Sequence, residues 1–304
     1  MKVAVLSQVH ERGLTILKEA GFEVVYEPGC EQANVASLLA DADGVIVRSK
    51  PKIRADEIAA APRLRFIGRA GVGTDNIDSA AARTRNIVVA NSPLATTQSV
   101  AEHVLALVFA AAKNLVRGSS GIRDGKWLKS GLVGTEIAGK TVGIVGFGNI
   151  GVRVAELLRP FRCRILAYDV VDIAAKAASV GAEVADIYDI LRASDIVTLH
   201  VPLLESTRHM ISTQEFGIMK KGVILVNTSR GGVVDETALA VALKEGRIRA
   251  ACLDVFEKEP LDSGPLQSLD NAVLTPHIAA STEEAQERAG IEIAQKCVAA
   301  LKGD

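Results

Sequence analysis

Apolar residues fall in two alternating series along this chain. In the first, short apolar runs at Lys2–Leu6, Glu23–Tyr26, Gly44–Val47, Leu64–Ile67 and Ile87–Val89 predict strands. His10–Ala20 and Asn34–Leu39 predict helices between the early ones. Strands separated by helical segments need crossover connections, so this first unit, residues 1–92, predicts a parallel α/β layer. The second series begins at Lys140. Its predicted strands are Thr141–Val145, Arg164–Ala167, a short one near Glu183, Ile196–His200, Val223–Asn227, Ala250–Asp254 and Val273–Thr275, with helices including Asn149–Leu158 and Asp235–Glu245. Six or seven strands in this rhythm predict a doubly wound, Rossmann-type parallel sheet.

Gln98–Val116 reads as one long helix, apolar around much of its circumference. Such a helix must be covered on most sides, by its own domain or by a second subunit. Gly118–Gly134, with its glycines and charges around Trp127, reads as an exposed loop or arm. Ser281-Thr282-Glu283-Glu284 resembles a capped helix start, and that helix is expected to run nearly to the C-terminus.

Composition narrows the classes. Apolar residues make up 48% of 304 positions and aromatics only 4%, so two cores built from Ala, Val, Ile and Leu are expected. A net charge of −1 gives no field to draw in nucleic acid or an anionic membrane. Between Arg48 and Arg69 seven basic residues meet only Asp56 and Glu57, which by itself describes a solvated basic face. Cys30, Cys163, Cys252 and Cys297 show neither CxxC nor metal-ligand spacing, so reduced thiols and no metal site are expected. No signal peptide opens the chain, and the longest apolar run, Val104–Ala112, is about half a membrane span. A cytoplasmic protein is expected.

Gly146-Phe147-Gly148-Asn149-Ile150-Gly151 follows a predicted strand at once and opens a predicted helix. That context gives the GxGxxG spacing its mechanism: Gly146 for the turn, Gly148 for backbone approach to a pyrophosphate, Gly151 for helix–strand packing. Asp169 ends the next strand. A carboxylate there accepts hydrogen bonds from ribose hydroxyls and repels a 2′-phosphate, and no arginine follows immediately, so NAD is the expected cofactor.

Ligands of open α/β sheets lie at the carboxyl ends of strands. Three consecutive strands each deliver a reactive group there: Arg230, Glu259 and His277. Oxidation of a hydroxy acid needs a planar cation for the carboxylate, an imidazole for the hydroxyl proton, and a carboxylate to orient that imidazole. Taken singly, a strand-end arginine is more often a surface residue, and Glu259 could simply flank a turn. His277 also competes with His200, which ends a strand too. His10 and His209 show no chemical context, and His103 reads as a packed or interface histidine. The constellation carries the assignment.

With these residues in view, the chain resembles the D-isomer-specific 2-hydroxyacid dehydrogenases, most closely the phosphoglycerate dehydrogenase branch, over nearly its whole length. The shared stretches are Val47-Arg48-Ser49, the run from Gly68 to Asp78, the GxGxxG segment, Val226–Gly232, Asp254-Val255-Phe256 with Glu259-Pro260, and Thr275-Pro276-His277. The resemblance implies a flavodoxin-like substrate domain (1–92, completed by 278–304) and an NAD domain (93–277). It implies that Arg230 binds the substrate carboxylate, and that His277 is the general acid/base paired with Glu259. It places Asn149, Ile150, Asp169, Pro202, Thr207, Thr228, Ser229 and Asp254 along the cofactor. Ala70-Gly71-Val72 should hold the carboxylate, and Arg48 and Arg69 should approach a substrate phosphate. It further implies a homodimer through the Gln98–Val116 helix and the Trp127 arm.

The activity so implied is oxidation of 3-phosphoglycerate, which opens serine biosynthesis. Serine feedback is not expected in a chain of this length. The run Asn91–Thr97 departs from the branch's usual pattern after the proline and puts the substrate in question. The alternatives are a glyoxylate/hydroxypyruvate reductase or a D-lactate-type enzyme on the same scaffold, and, from a different class, a non-enzymatic NAD-sensing corepressor-like protein.

Overall fold

A computed structural model of the chain describes residues 1–303. Its elements begin with β1 (Lys2–Val5), α1 (Glu11–Glu19), β2 (Glu23–Tyr26), α2 (Val35–Leu39), β3 (Gly44–Val47), α3 (Ala55–Ala59), β4 (Phe66–Arg69), α4 (Ser79–Thr84) and β5 (Val88–Asn91). Then come α5 (Thr97–Ala112), α6 (Leu115–Arg123), β6 (Thr141–Val145), α7 (Asn149–Leu158), β7 (Arg164–Tyr168), α8 (Ala174–Val180), β8 (Glu183–Val184) and α9 (Ile187–Ala193). The remainder is β9 (Ile196–Leu199), α10 (Thr213–Ile218), β10 (Val223–Asn227), α11 (Glu236–Lys244), β11 (Ile248–Leu253), β12 (Ala272–Leu274) and α12 (Glu283–Lys302). Two compact units result: Met1–Thr97 together with the segment from Ala280 onward, and Gln98–Ala279. These breaks lie a few residues beyond those expected after 92 and 277.

In the first unit the strands run in the order β2-β1-β3-β4-β5, all parallel. This is the flavodoxin-like order. Alternation along each strand feeds two cores. Ala4, Leu6, Val45, Val47 and Ile67 pack with Val35, Leu39 and Ile58 on one face. Val3, Val5, Ile46 and Phe66 pack with Leu17 and with Ile293, Cys297 and Leu301 of α12 on the other.

The second unit has seven parallel strands in the order β12-β11-β10-β9-β6-β7-β8. Strand order reverses between β6 and β9, the place where such sheets bind nucleotides. Period-two alternation again decides the faces. Val142, Ile144, Ile224 and Val226 pack with Val104, Leu107 and Val154. Val145, Val197, Leu199 and Leu225 pack with Leu191, Phe216 and Leu239.

The predicted Gln98–Val116 helix is not continuous. Asn114 takes a left-handed backbone (φ 54°) and ends it; α6 sets off at 65° to α5. Leu115 and Val116 extend the apolar pattern but are exposed, so the sequence pattern runs on where the helix does not. The region predicted as a loop or arm therefore begins as the second half of α6, and Trp127 beyond it is 79% exposed. Among the described residues no single helix is long and apolar enough to cross a membrane.

Candidate active site

The loop between β6 and α7 contains the glycine motif. Gly146 has φ 93°, and a Cβ there would stand 2.6 Å from the His200 carbonyl oxygen. At Gly151 a Cβ would meet the Gly146 carbonyl oxygen at 2.4 Å, so only glycine lets α7 approach the strand end this closely. Above Gly148 a Cβ would meet nothing within 4 Å. Gly148 caps α7 without a side-chain bond, which leaves the first N–H groups, at Asn149 and Ile150, for a ligand. Asp169, just past β7, accepts from the Phe147 N–H at 2.8 Å and from the Val170 N–H at 2.7 Å. Thr207 Oγ donates to the Pro202 carbonyl at 2.6 Å, ordering the loop beyond β9. Thr228 Oγ is buried without a hydrogen-bond partner, a polar atom that a bound ligand could satisfy. These groups fit a dinucleotide along the switch point.

Arg230, Glu259 and His277 follow the adjacent strands β10, β11 and β12. His277 Nδ1 lies 2.7 Å from Glu259 Oε2, while Glu259 Oε1 accepts from the Phe256 N–H at 3.1 Å. Both side chains of the pair are partly exposed, as groups that meet a substrate must be. Buried Asn227 shapes the turn at Arg230: its Nδ2 donates to the Arg230 carbonyl at 2.8 Å and its Oδ1 accepts from the Ser229 N–H and hydroxyl. Arg230 Nη1 donates to the Ser229 carbonyl at 2.7 Å. A Cβ at Gly231 would fall 1.9 Å from the Phe256 carbonyl carbon, so the arginine turn and the Glu259 loop touch backbone to backbone.

His277 itself sits in the left-handed region (φ 54°), rare for a residue with a Cβ. The flanking chain is held by Asp254, whose carboxylate is fully buried. Asp254 Oδ1 accepts from Thr275 Oγ at 2.6 Å and the Ile278 N–H at 2.9 Å; Oδ2 accepts from the Ala279 N–H at 2.8 Å. His103 Nε2 approaches Thr275 Oγ at 3.2 Å and Asp254 Oδ1 at 3.5 Å. Burial pushes this carboxyl up, but the donors from His103, Thr275, Ile278 and Ala279 outweigh it and hold Asp254 below its ordinary value. Asp254 thus spends both oxygens on residues 275–279.

The other histidines separate by environment. Burial pushes His200 down to about 4, so it is neutral near physiological pH, and its Nε2 pairs with Thr198 Oγ at 3.0 Å. His10 caps α1, accepting from the Arg12 N–H at 3.3 Å. His209 pairs with Glu257 at 3.2 Å. His209 did not stand out in the sequence as a site residue, since its partners lie far along the chain; Asn227 did not either, although its partners Ser229 and Arg230 are its close neighbours in sequence.

In the first unit Arg48 follows β3 and Arg69 ends β4, one strand over. Ser7 Oγ accepts from the Arg48 N–H at 2.7 Å and Asn76 Nδ2 donates to the Arg48 carbonyl at 2.9 Å. Its guanidinium takes no hydrogen bond or ion pair from the described residues, and burial draws its pKa below the ordinary value. Arg69 Nη1 donates to the Ala70 carbonyl at 3.2 Å. The Ala70-Gly71-Val72 backbone is held by the Ser92 N–H on the Gly71 carbonyl and by Asn91 Nδ2 on the Val72 carbonyl.

Residues 105–279 match the family described as D-isomer specific 2-hydroxyacid dehydrogenase, NAD binding domain. The whole chain is 44% identical to D-3-phosphoglycerate dehydrogenase of Methanocaldococcus jannaschii, over 58% of that relative's length. The chain thus spans little more than half of it. Over 88% of the chain, identity to hydroxypyruvate reductase of Thermotoga maritima is 45%, covering 87% of that protein. The crystal structure of a glyoxylate reductase from Paecilomyes thermophila superposes with a TM-score of 0.90 at 28% identity, over 100% of this chain and 96% of that one. The parallel seven-stranded sheet, its glycine loop and the strand-end trio thus sit in a chain that belongs to the D-isomer-specific 2-hydroxyacid dehydrogenase family, with an NAD-binding domain.

Proposed function

We propose that the chain oxidises D-3-phosphoglycerate to 3-phosphohydroxypyruvate, reversibly, as the entry step to serine. Arg230 binds the substrate carboxylate through its planar guanidinium. His277 Nε2 takes the 2-hydroxyl proton, while Glu259 holds the proton on Nδ1 and stabilises the imidazolium that forms. NAD, when bound, would supply the acceptor for the hydride that leaves C2. Gly146, Gly148, Asn149, Ile150, Gly151, Asp169, Pro202, Thr207, Thr228 and Ser229 hold it. In the reverse direction protonated His277 returns its proton to the carbonyl oxygen.

The observation that carries the phosphorylated substrate is Arg48. A partly buried guanidinium with no protein partner has given up part of its hydration, and a phosphate dianion would replace it with charge-assisted hydrogen bonds. A second reading, reduction of hydroxypyruvate or glyoxylate, is favoured by the 45% identity to the Thermotoga reductase. The chemistry is the same, and the basic stretch then remains a solvated face. Initial rates of NADH formation or loss on 3-phosphoglycerate, phosphohydroxypyruvate, hydroxypyruvate, glyoxylate and pyruvate separate the two. Arg48→Ala with Arg69→Ala should raise KM for the phosphorylated pair at least tenfold, each charged contact being worth about 1.5–3 kcal/mol. Phosphoglycerate affinity that survives the double change overturns the phosphate assignment.

We also infer a homodimer. Leu115, Val116, Ile122, Trp127, Leu128 and Val133 leave a run of large apolar side chains exposed along α6 and the segment after it. Sedimentation should report twice the chain mass, and a monomer at micromolar concentration refutes the inference.

A further inference from the structure

His209 lies outside the trio yet joins the two segments that carry Arg230 and Glu259. Its backbone N–H donates to the Gly232 carbonyl at 2.8 Å, next to the arginine turn. Its Nε2 meets Glu257 Oε1 at 3.2 Å, on the Glu259 loop. To make both contacts the residue takes a left-handed backbone, φ 49°.

Glu257 is held a second time. The Glu236 N–H donates to Glu257 Oε1 at 3.1 Å, and the Glu257 N–H donates back to Glu236 Oε1 at 2.6 Å. This reciprocal clasp ties the loop to the first turn of α11. The peptide it fixes, Phe256–Glu257, is the one against which Gly231 packs. The Phe256 N–H in turn donates to Glu259 Oε1 at 3.1 Å, leaving Oε2 for His277. A continuous path therefore runs from His209 through Glu257 and Phe256 to Glu259.

Charge gives the path its logic. Glu236, Glu257 and Glu259 crowd three carboxyls together; burial first, then the charges of Glu257 and Glu259, push Glu236 above its ordinary value. His209 faces Glu257, and it also acts on Asp235 and Glu236, lowering both. An imidazole there offsets the repulsion that would otherwise spread the loop.

We propose that His209 is a positioning residue for the His277–Glu259 pair, acting through Glu257 to hold Glu259 Oε2 against His277 Nδ1. The proposal rests on His277 as the acid/base of the hydroxy-acid oxidation.

The test is His209→Asn. Asparagine tolerates the left-handed backbone, keeping the bond to Gly232 while losing the reach to Glu257. Turnover should fall about threefold to tenfold, a modest misplacement on the scale of up to 10²-fold for 1 Å. NAD affinity should stay unchanged. In substrate-free protein, the His277 Nδ1 proton, held against Glu259 Oε2 in the parent, should lose its downfield position in proton NMR as that hydrogen bond loosens. A role confined to the fold around His209 would leave that proton's position unchanged. His209→Gln, which keeps a donor toward Glu257, should restore most of the turnover. In a Glu257→Gln background, His209→Asn should add little, since coupled residues act non-additively. An unchanged Nδ1 proton resonance, or additive losses in the double variant, overturns the proposal. If His209→Asn does not fold, His209→Gly meets the same backbone geometry and takes its place. Normal turnover in His277→Ala would sink the acid/base reading itself, and the Nδ1 proton resonance in substrate-free protein would still report on positioning.

Discussion

Asp254→Asn keeps the size of a buried side chain while withdrawing its charge and one acceptor. The amide has two ways to sit. With its oxygen toward Thr275 Oγ and the Ile278 N–H, its NH₂ faces the Ala279 N–H, which the wild-type carboxylate meets at 2.8 Å. Turned over, the NH₂ faces the Ile278 N–H instead. Either way one backbone donor is stranded, at about 1–3 kcal/mol, and the surviving bonds drop from charge-assisted to neutral, at about 1 kcal/mol. A loss of about 2–4 kcal/mol is expected from urea unfolding near neutral pH. The pH dependence follows from linkage. Asp254 is held below its unfolded value of about 3.9, so its contribution is full above that pH and is lost as pH falls through the folded value. The gap between the variant and the parent should therefore close in acid. Because the lost donor flanks His277, turnover should fall about tenfold as well, in line with the cost of sub-ångström misplacement. A penalty below about 1 kcal/mol near neutrality, or one that persists unchanged in acid, would refute the role given to these bonds.

His277→Ala should lower turnover by about 10²–10⁴-fold with NAD affinity intact, read by steady-state rates and cofactor titration; a variant of near-normal turnover contradicts the assignment. Because residue 277 has φ 54°, His277→Asn is the companion that removes the imidazole with less backbone strain. Asp169→Ala should weaken NAD binding and narrow the preference over NADP, measured as a ratio of kcat/KM, and an unaltered ratio would remove Asp169 from that role. Gly231→Ala drives a Cβ to 1.9 Å from the Phe256 backbone. The two segments must part, so activity should fall together with about 1–3 kcal/mol of stability, and a normally active, normally stable variant would show that this backbone contact is not needed.

Much of the molecule could be read before its coordinates. Period-two alternation and helix-length spacers are local signals, and they located both parallel sheets and brought Arg230, Glu259 and His277 to neighbouring strand ends. The glycine motif was legible because its chemistry depends on backbone conformation at fixed spacing. What escaped was decided by non-local packing. Leu115 and Val116 continue an apolar pattern yet face outward, because a single left-handed residue at Asn114 redirects the helix. His200 also ends a strand, and its burial and bond to Thr198 now set it apart from His277, which meets Glu259. Glu257 is a surface charge in the sequence; its partners on α11 and at His209 become neighbours only when three strand-end loops converge.

The first unit is assembled from the two ends of the described chain, with the second unit lying between them in sequence. Leu17 and Phe66 are sealed by Ile293, Cys297 and Leu301 of α12. During synthesis, β1 to β5 leave the ribosome with one face of their sheet covered only in part, by α1, and wait for α12 while the whole of Gln98–Ala279 is made. That middle unit is continuous and can close first, against the usual N-terminal-first order. The residues of β1 to β5 are therefore fully buried only once α12 is made, and for that interval a half-covered apolar face stays open to a chaperone.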